Sequence, residues 1–158
     1  MTDELERFWQ ETLRRHPALA GRSWRTDYFG NPGQQAQELA GLIVRGEKKA
    51  TCSLLEDDEP LPAPGMISLV LDGRERPVAA IETTHVSLRR FRDVDAVFAA
   101  AEGEDDKSLY SWRKAHREFF GNILEARGEA FRDDIWLVCE HFRLLYAEDK
   151  NAAPDGTA

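Results

Sequence analysis

The sequence predicts an α+β fold, a small, partly antiparallel β-barrel flanked by α-helices. Three observations carry that reading. Strand-like runs are separated by amphipathic helical stretches, and a hairpin signal lies near the middle of the chain. No Gly-rich loop joins a strand to a helix, as a nucleotide-cofactor fold would require.

Residues 3–15 read as a helix. Leu5, Phe8, Trp9, Thr12 and Leu13 share one face, Asp3 and Glu6 have capping-box spacing, and Pro17 ends the element. Residues 20–31 read as a loop carrying Trp24, Tyr28 and Phe29. A second helix is expected over 32–45, with Asn31 as its cap, Pro32 at its first position and Gly46 ending it in a left-handed conformation. Its apolar stripe is Ala36, Leu39, Ala40 and Ile43. Residues 48–55 favour an extended segment, and 56–65 form an acidic, Pro-rich loop.

Residues 66–71 and 77–88 read as the two strands of a hairpin, turning at Asp72-Gly73. Asp93 is placed to cap a short helix with Val94, Val97 and Phe98 facing inward. Ser108 is placed to cap a longer helix, running to about residue 127. Its stripe is Leu109, Trp112, His116, Phe120 and Ile123. Residues 135–146 form a final apolar strand, and the tail beyond is expected to be disordered.

The composition narrows the function. The chain has 158 residues, 42% of them hydrophobic, which is enough for one core and argues against intrinsic disorder. No apolar run reaches the roughly 20 residues of a membrane helix. The acidic start Met1-Thr2-Asp3-Glu4 lacks signal-peptide features, so a cytoplasmic location is expected. The net charge of −8 disfavours a protein that coats nucleic acid non-specifically, while leaving room for a local basic cleft. The two cysteines, Cys52 and Cys139, do not suggest a disulfide framework, although thiol chemistry at Cys52 is an option. No histidine or cysteine set has metal-ligand spacing, so no metal and no other cofactor is expected.

Several residues carry candidate chemistry. Lys48 and Thr51 have the spacing of a base and the hydroxyl it activates, and Arg45 and Lys49 are neighbouring cations. The acidic run Glu102-Gly103-Glu104-Asp105-Asp106 offers a carboxylate to orient a lysine or carry a proton. His116 lies on an apolar stripe between Trp112 and Phe120. Glu140 shares a strand face with apolar residues, so it should have a partner. Residues 82–85 put polar groups on both faces of a strand, as if one face lined a wet cavity.

Taken in order, these blocks resemble the ASCH family. Gly46-Glu47-Lys48-Lys49-Ala50-Thr51 looks like its Gly-x-Lys-x-x-Thr signature, followed by Leu61-Pro62 and Gly65. Ile81-Glu82-Thr83-Thr84 with Phe91-Arg92-Asp93-Val94 matches the next block. Glu102-Gly103-Glu104, Ser108-Leu109, Trp112-Arg113, His116 and Phe119-Phe120 match the one after, and Val138-Cys139-Glu140-x-Phe142 closes the pattern. The resemblance covers residues 30–146. Residues 1–29 then form an N-terminal helix and loop packing on the domain, and 147–158 form a disordered tail.

The resemblance implies a PUA-like β-barrel with helices around a cleft, and a partner that is RNA or a modified nucleoside. The first expectation is cleavage of single-stranded RNA. An alternative is an amidohydrolase that deacetylates acetylcytidine nucleosides through Lys48, Thr51 and a downstream carboxylate. That carboxylate falls among Glu102, Glu104 and Asp105, with Glu104 preferred. The third expectation is a non-catalytic RNA-binding regulatory module. Arg45, Lys49, Ser53, Tyr28, Ser108, Trp112, Arg113 and His116 are the expected binding residues. The oligomeric state is left open.

Overall fold

The computed structural model describes residues 3–150. Among them are four helices: α1 (Asp3–Arg15), α2 (Gln34–Val44), α3 (Ala96–Glu102) and α4 (Leu109–Ala126). The five strands are β1 (Arg25–Asp27), β2 (Ala50–Leu54), β3 (Ile67–Leu71), β4 (Pro77–Arg90) and β5 (Trp136–Ala147). They form one sheet in the order β1-β3-β4-β5-β2. The fold is α+β with a curled, barrel-like sheet, as expected. The chain divides into two compact units.

Among the described residues, the first unit holds 3–46, 66–82 and 143–150. Its core is Phe8, Trp9, Leu19, Ile67, Leu69, Ala80 and Leu145. The hairpin forms as predicted: β3 pairs antiparallel with β4, with Leu69 opposite Ala80. Asp72 holds the turn, its Oδ1 accepting from the backbone N–H groups of Arg74 and Arg76. These N–H groups and the Arg76 side chain offset the cost of burial and keep the carboxyl below its ordinary range.

Two expectations fail in this unit. The stretch read as a loop contains β1, which runs parallel to β3 with Thr26 opposite Leu69. Three residues are too few to show the alternation by which strands are recognised. Asn31 does not cap α2. Pro32 and Gly33 form a turn, Gly33 at φ +93° takes the cap position, and the helix starts at Gln34. A side chain on Gly73 would lie 2.3 Å from the Gly33 carbonyl oxygen, so these two backbones pack too closely for any other residue at 73. The predicted stripe of α2 is buried in full.

The second unit holds residues 47–65 and 83–142. Its core comprises Ala50, Phe91, Val94, Phe98, Ala99, Trp112, Phe120, Leu137 and Cys139. β2 pairs antiparallel with β5, placing Thr51 opposite Glu140 and Cys52 opposite Cys139. Ser108 caps α4 as expected, its hydroxyl accepting from the Ser111 N–H at 3.1 Å. Asp93 is not a cap. It ends a 3-10 turn, and Asp95 caps α3 by accepting from the Phe98 N–H at 2.9 Å. That later start turns Val97 outward, leaving it 76% exposed, against the expected inward position.

The expected disordered tail is only partly within the described residues. β5 extends to Ala147 and the Glu148 N–H donates to the Val78 carbonyl, while 151–158 lie outside the description.

Candidate functional site

The site is assembled entirely within the second unit, from the chain entering β2, the end of α3, and α4. Gly46 ends the segment after α2 at φ +76°, as predicted. The chain at Lys48 then runs against the end of α3. The Lys49 N–H donates to the Ala101 carbonyl at 2.7 Å. Gly103, at φ +72°, makes the approach possible: a Cβ there would lie 2.0 Å from the Glu47 carbonyl oxygen. With Gly103 between them, Glu102 and Glu104 both turn toward Lys48.

Lys48 is a buried lysine with two carboxylate partners. Its Nζ donates to Glu102 Oε1 at 2.9 Å and to Glu104 Oε2 at 2.6 Å. Burial opposes the charge, but Glu102 and Glu104 outweigh it, and the ammonium is held well above the usual lysine range.

Glu102 is the hub. Its Oε2 accepts from Trp112 Nε1 at 2.6 Å and from Cys52 Sγ at 3.3 Å, and it faces His116 Nε2 at 3.4 Å. Burial pushes its pKa up. Lys48, His116 and Trp112 more than reverse that, and the carboxyl stays ionised well below the ordinary carboxylate range.

His116 is stacked on Trp112 with ring centroids 4.2 Å apart. Its Nδ1 lies 2.9 Å from the Trp112 carbonyl oxygen, while Nε2 faces Glu102. Both neighbours are acceptors, so both ring nitrogens are positioned to donate, as in an imidazolium. Burial disfavours that charge, yet the Glu102 hydrogen bond and charge raise the pKa above the ordinary histidine value. Lys48 and His116 thus meet Glu102 and Glu104 within one network.

Among the described residues, Cys52, Glu102 and His116 also bring ligand-type atoms within 4.8 Å of one another. Those atoms are engaged with each other and with Lys48 and Trp112. A metal ion there would have to displace the Trp112 N–H from Glu102 Oε2 and sit beside the ammonium held on Oε1, so the donor set does not fit a metal.

Of the expected residues, Lys48, Glu104, Trp112 and His116 come together. Thr51 does not join them. Along β2, Ala50, Cys52 and Leu54 face the core, and Thr51 and Ser53 occupy the opposite face. Glu140, across from Thr51, accepts from Thr83 Oγ1 at 3.3 Å, the partner its position demanded. Lys49 and Ser53 are exposed. Ser108 is occupied as a cap and donates to Asp106 Oδ1 at 2.6 Å. Arg113 is exposed, its guanidinium 3.5 Å from the Arg92 carbonyl oxygen. Arg45 and Tyr28 belong to the first unit and are exposed. Asp105 is exposed at φ +51°, so the two carboxylates on Lys48 are Glu102 and Glu104. Sequence reasoning missed Glu102 as the hub and Cys52 as its partner. The signal was available: Glu102 falls four residues after Phe98, on the buried face of α3.

These features define a class: a small α+β domain with a curled sheet and a buried lysine–carboxylate network. The chain belongs to the ASCH domain family, whose model matches residues 25–146. It is similar to the ASCH domain from Lactobacillus crispatus JV V101, with 37% identity and a TM-score of 0.84, over 92% of this chain and 96% of that one. It is also similar to protein EF3133 from Enterococcus faecalis V583, at 34% identity and a TM-score of 0.78, covering 91% and 89% of the two chains. A likeness to the hypothetical protein PH0355, at 18% identity and a TM-score of 0.51 over 77% and 97%, extends to the fold alone. No curated protein matches the chain. No helix among the described residues is long and apolar enough to cross a membrane.

Proposed function

We propose that this ASCH domain protein binds RNA or a modified nucleoside, with Glu104 as the recognising carboxylate. The observation behind this reading is that Glu104 is tied to the buried Lys48 ammonium at 2.6 Å while its side chain keeps 19% exposure. One end of the carboxylate is fixed and the other faces solvent. A pinned carboxylate accepts hydrogen bonds from amino and imino groups of a base or from ribose hydroxyls. It repels phosphate. Since two carboxylates already neutralise Lys48, the network favours a base or sugar over the nucleic-acid backbone.

The hydrolase readings use the same residues and fit less well. Deacetylation through Lys48, Thr51 and Glu104 asks Lys48 to take a proton from Thr51. The ammonium is held protonated, and Thr51 lies on the other face of its strand. RNA cleavage asks Lys48 to stabilise phosphate charge or His116 to move a proton. The first is neutralised, and the second has both nitrogens engaged in a buried setting.

The test is equilibrium binding of cytidine, acetylcytidine and a short single-stranded RNA, with product analysis of the same mixtures. Glu104→Gln should weaken binding about tenfold or more, as expected for a lost charge-assisted hydrogen bond of roughly 1.5–3 kcal/mol. The wild-type protein should release neither acetate nor RNA fragments. Binding that is indifferent to Glu104→Gln would overturn the assignment. Turnover abolished by Lys48→Met would replace binding with hydrolysis.

A further inference from the structure

Cys52 and Cys139 are both free thiols and face each other across β2 and β5. The hydrogen bonds on either side establish what kind of pair they are. The Phe142 N–H donates to the Lys49 carbonyl at 3.0 Å, and the Leu55 N–H donates to the Trp136 carbonyl at 3.1 Å. Both are directly opposed residues in this register, hence hydrogen-bonded pairs. Antiparallel pairs alternate in kind, so Cys52 and Cys139 form a non-hydrogen-bonded pair. In such pairs the Cα atoms stand about 4.5 Å apart and the side chains project from the same face. A disulfide spans Cα separations of roughly 4.4–6.8 Å, so the backbone needs little movement to accept one.

We propose that Cys52 and Cys139 are a redox modification site, closing a reversible cross-strand disulfide when the protein meets a small-molecule disulfide of the glutathione kind. Cys52, the half-buried thiol, reacts first; Cys139 is fully buried. Cys52 loses its proton and its sulfur attacks one sulfur of the oxidant. The other sulfur leaves as a thiolate and takes up a proton. The Cys139 sulfur, after losing its own proton, attacks Cys52 Sγ and expels the second thiol in the same way. Two protein thiols are oxidised to one disulfide, and one small disulfide is reduced to two thiols.

The modification reports on the site because Cys52 donates its S–H to Glu102 Oε2. Closure removes that hydrogen and one of the donors on the hub carboxylate, leaving Lys48, Trp112 and His116 in place. Burial and the neighbouring Glu102 carboxylate raise the Cys52 pKa well above the usual thiol value, and burial pushes Cys139 up to about 12. Exchange is therefore slow near neutrality and accelerates with pH, about tenfold per unit while the thiolate is scarce. The inference stands whatever ligand Glu104 binds.

The test uses the folded, reduced protein in a glutathione redox buffer. Peptide mapping without reductant should recover a crosslink between Cys52 and Cys139, with the intact mass lowered by two hydrogens. Cys139→Val should stop at a mixed disulfide on Cys52, and Cys52→Ser should remain unmodified at Cys139. In 15N spectra the Trp112 indole N–H resonance should move on oxidation and return with dithiothreitol. A terminal mixed disulfide on the wild-type protein, or a crosslink that forms only in denaturant, would overturn the proposal. A crosslink that leaves the Trp112 resonance in place would overturn its coupling to the site.

Discussion

Lys48 Nζ sits 2.9 Å from Glu102 Oε1, and both side chains are only 1% exposed. Removing one partner of such a pair strands a buried charge, which typically costs about 3–5 kcal/mol. Lys48→Met should therefore lower the unfolding free energy by about 3 kcal/mol in urea titrations. Lys48→Met combined with Glu102→Leu should cost much less than the sum of the two single changes.

The same network sets a pH window for stability. The folded pKa of Glu102 is depressed, so its contribution is complete above the unfolded value, about 4.3, and is lost as pH falls below it. The folded pKa of His116 is raised, so its contribution is complete below the unfolded value, about 6.5, and is lost as pH rises through the folded one. Denaturation midpoints should accordingly peak in mildly acidic solution. His116→Gln should flatten the alkaline side of that profile and, by removing one of the groups that hold the Glu102 carboxyl down, soften the acid side as well.

Trp112→Phe keeps the ring and deletes the indole N–H that meets Glu102 at 2.6 Å. A hydrogen bond to a buried charge contributes roughly 1.5–3 kcal/mol, so the variant should lose about 2 kcal/mol. Calorimetry on the two proteins measures the difference.

Gly103→Ala should be worse than an ordinary helix-end substitution. Its φ of +72° disfavours any side chain, and the added Cβ would collide with the Glu47 carbonyl oxygen. The expected loss is about 2 kcal/mol or more, together with weakened ligand binding because Glu104 shifts with the loop. Urea titration and the nucleoside binding assay read the two effects.

The caps discriminate between two aspartates two residues apart. Asp95→Ala should cost about 1 kcal/mol, as loss of an N-cap does, and Asp93→Ala should cost a few tenths. Thermal unfolding of both variants decides between them.

Much of the fold was legible where a pattern is local. The β3–β4 hairpin, the Ser108 cap and the stripes of α2 and α4 follow from periodicity and turn chemistry. β1 was not legible, because its status as a strand comes from pairing with β3, some forty residues away. In the site, the spacing around Lys48 and Thr51 drew attention to the right segment. The odd spacing in an extended segment already implies opposite faces, and the structure keeps Thr51 away from the core-facing residues of β2. Glu102 looked like one acid among several. Its role depends on Lys48, 54 residues earlier, and on Trp112, ten residues later.

The first unit has a consequence for synthesis on the ribosome. His16 Nε2 meets the Leu145 carbonyl oxygen at 2.7 Å across 129 positions, and Phe8 shares a core with Leu145. Helix α1 therefore leaves the exit tunnel well before the last of the residues that bury its apolar face exist. Its Phe8 and Trp9 can meet Leu19, Ile67, Leu69 and Ala80 earlier, but their cover stays incomplete until Leu145 and Tyr146 of β5 have been translated. The closing segment of β5 is thus the late step of assembly, and a nascent chain halted before residue 143 should be open to proteases at α1.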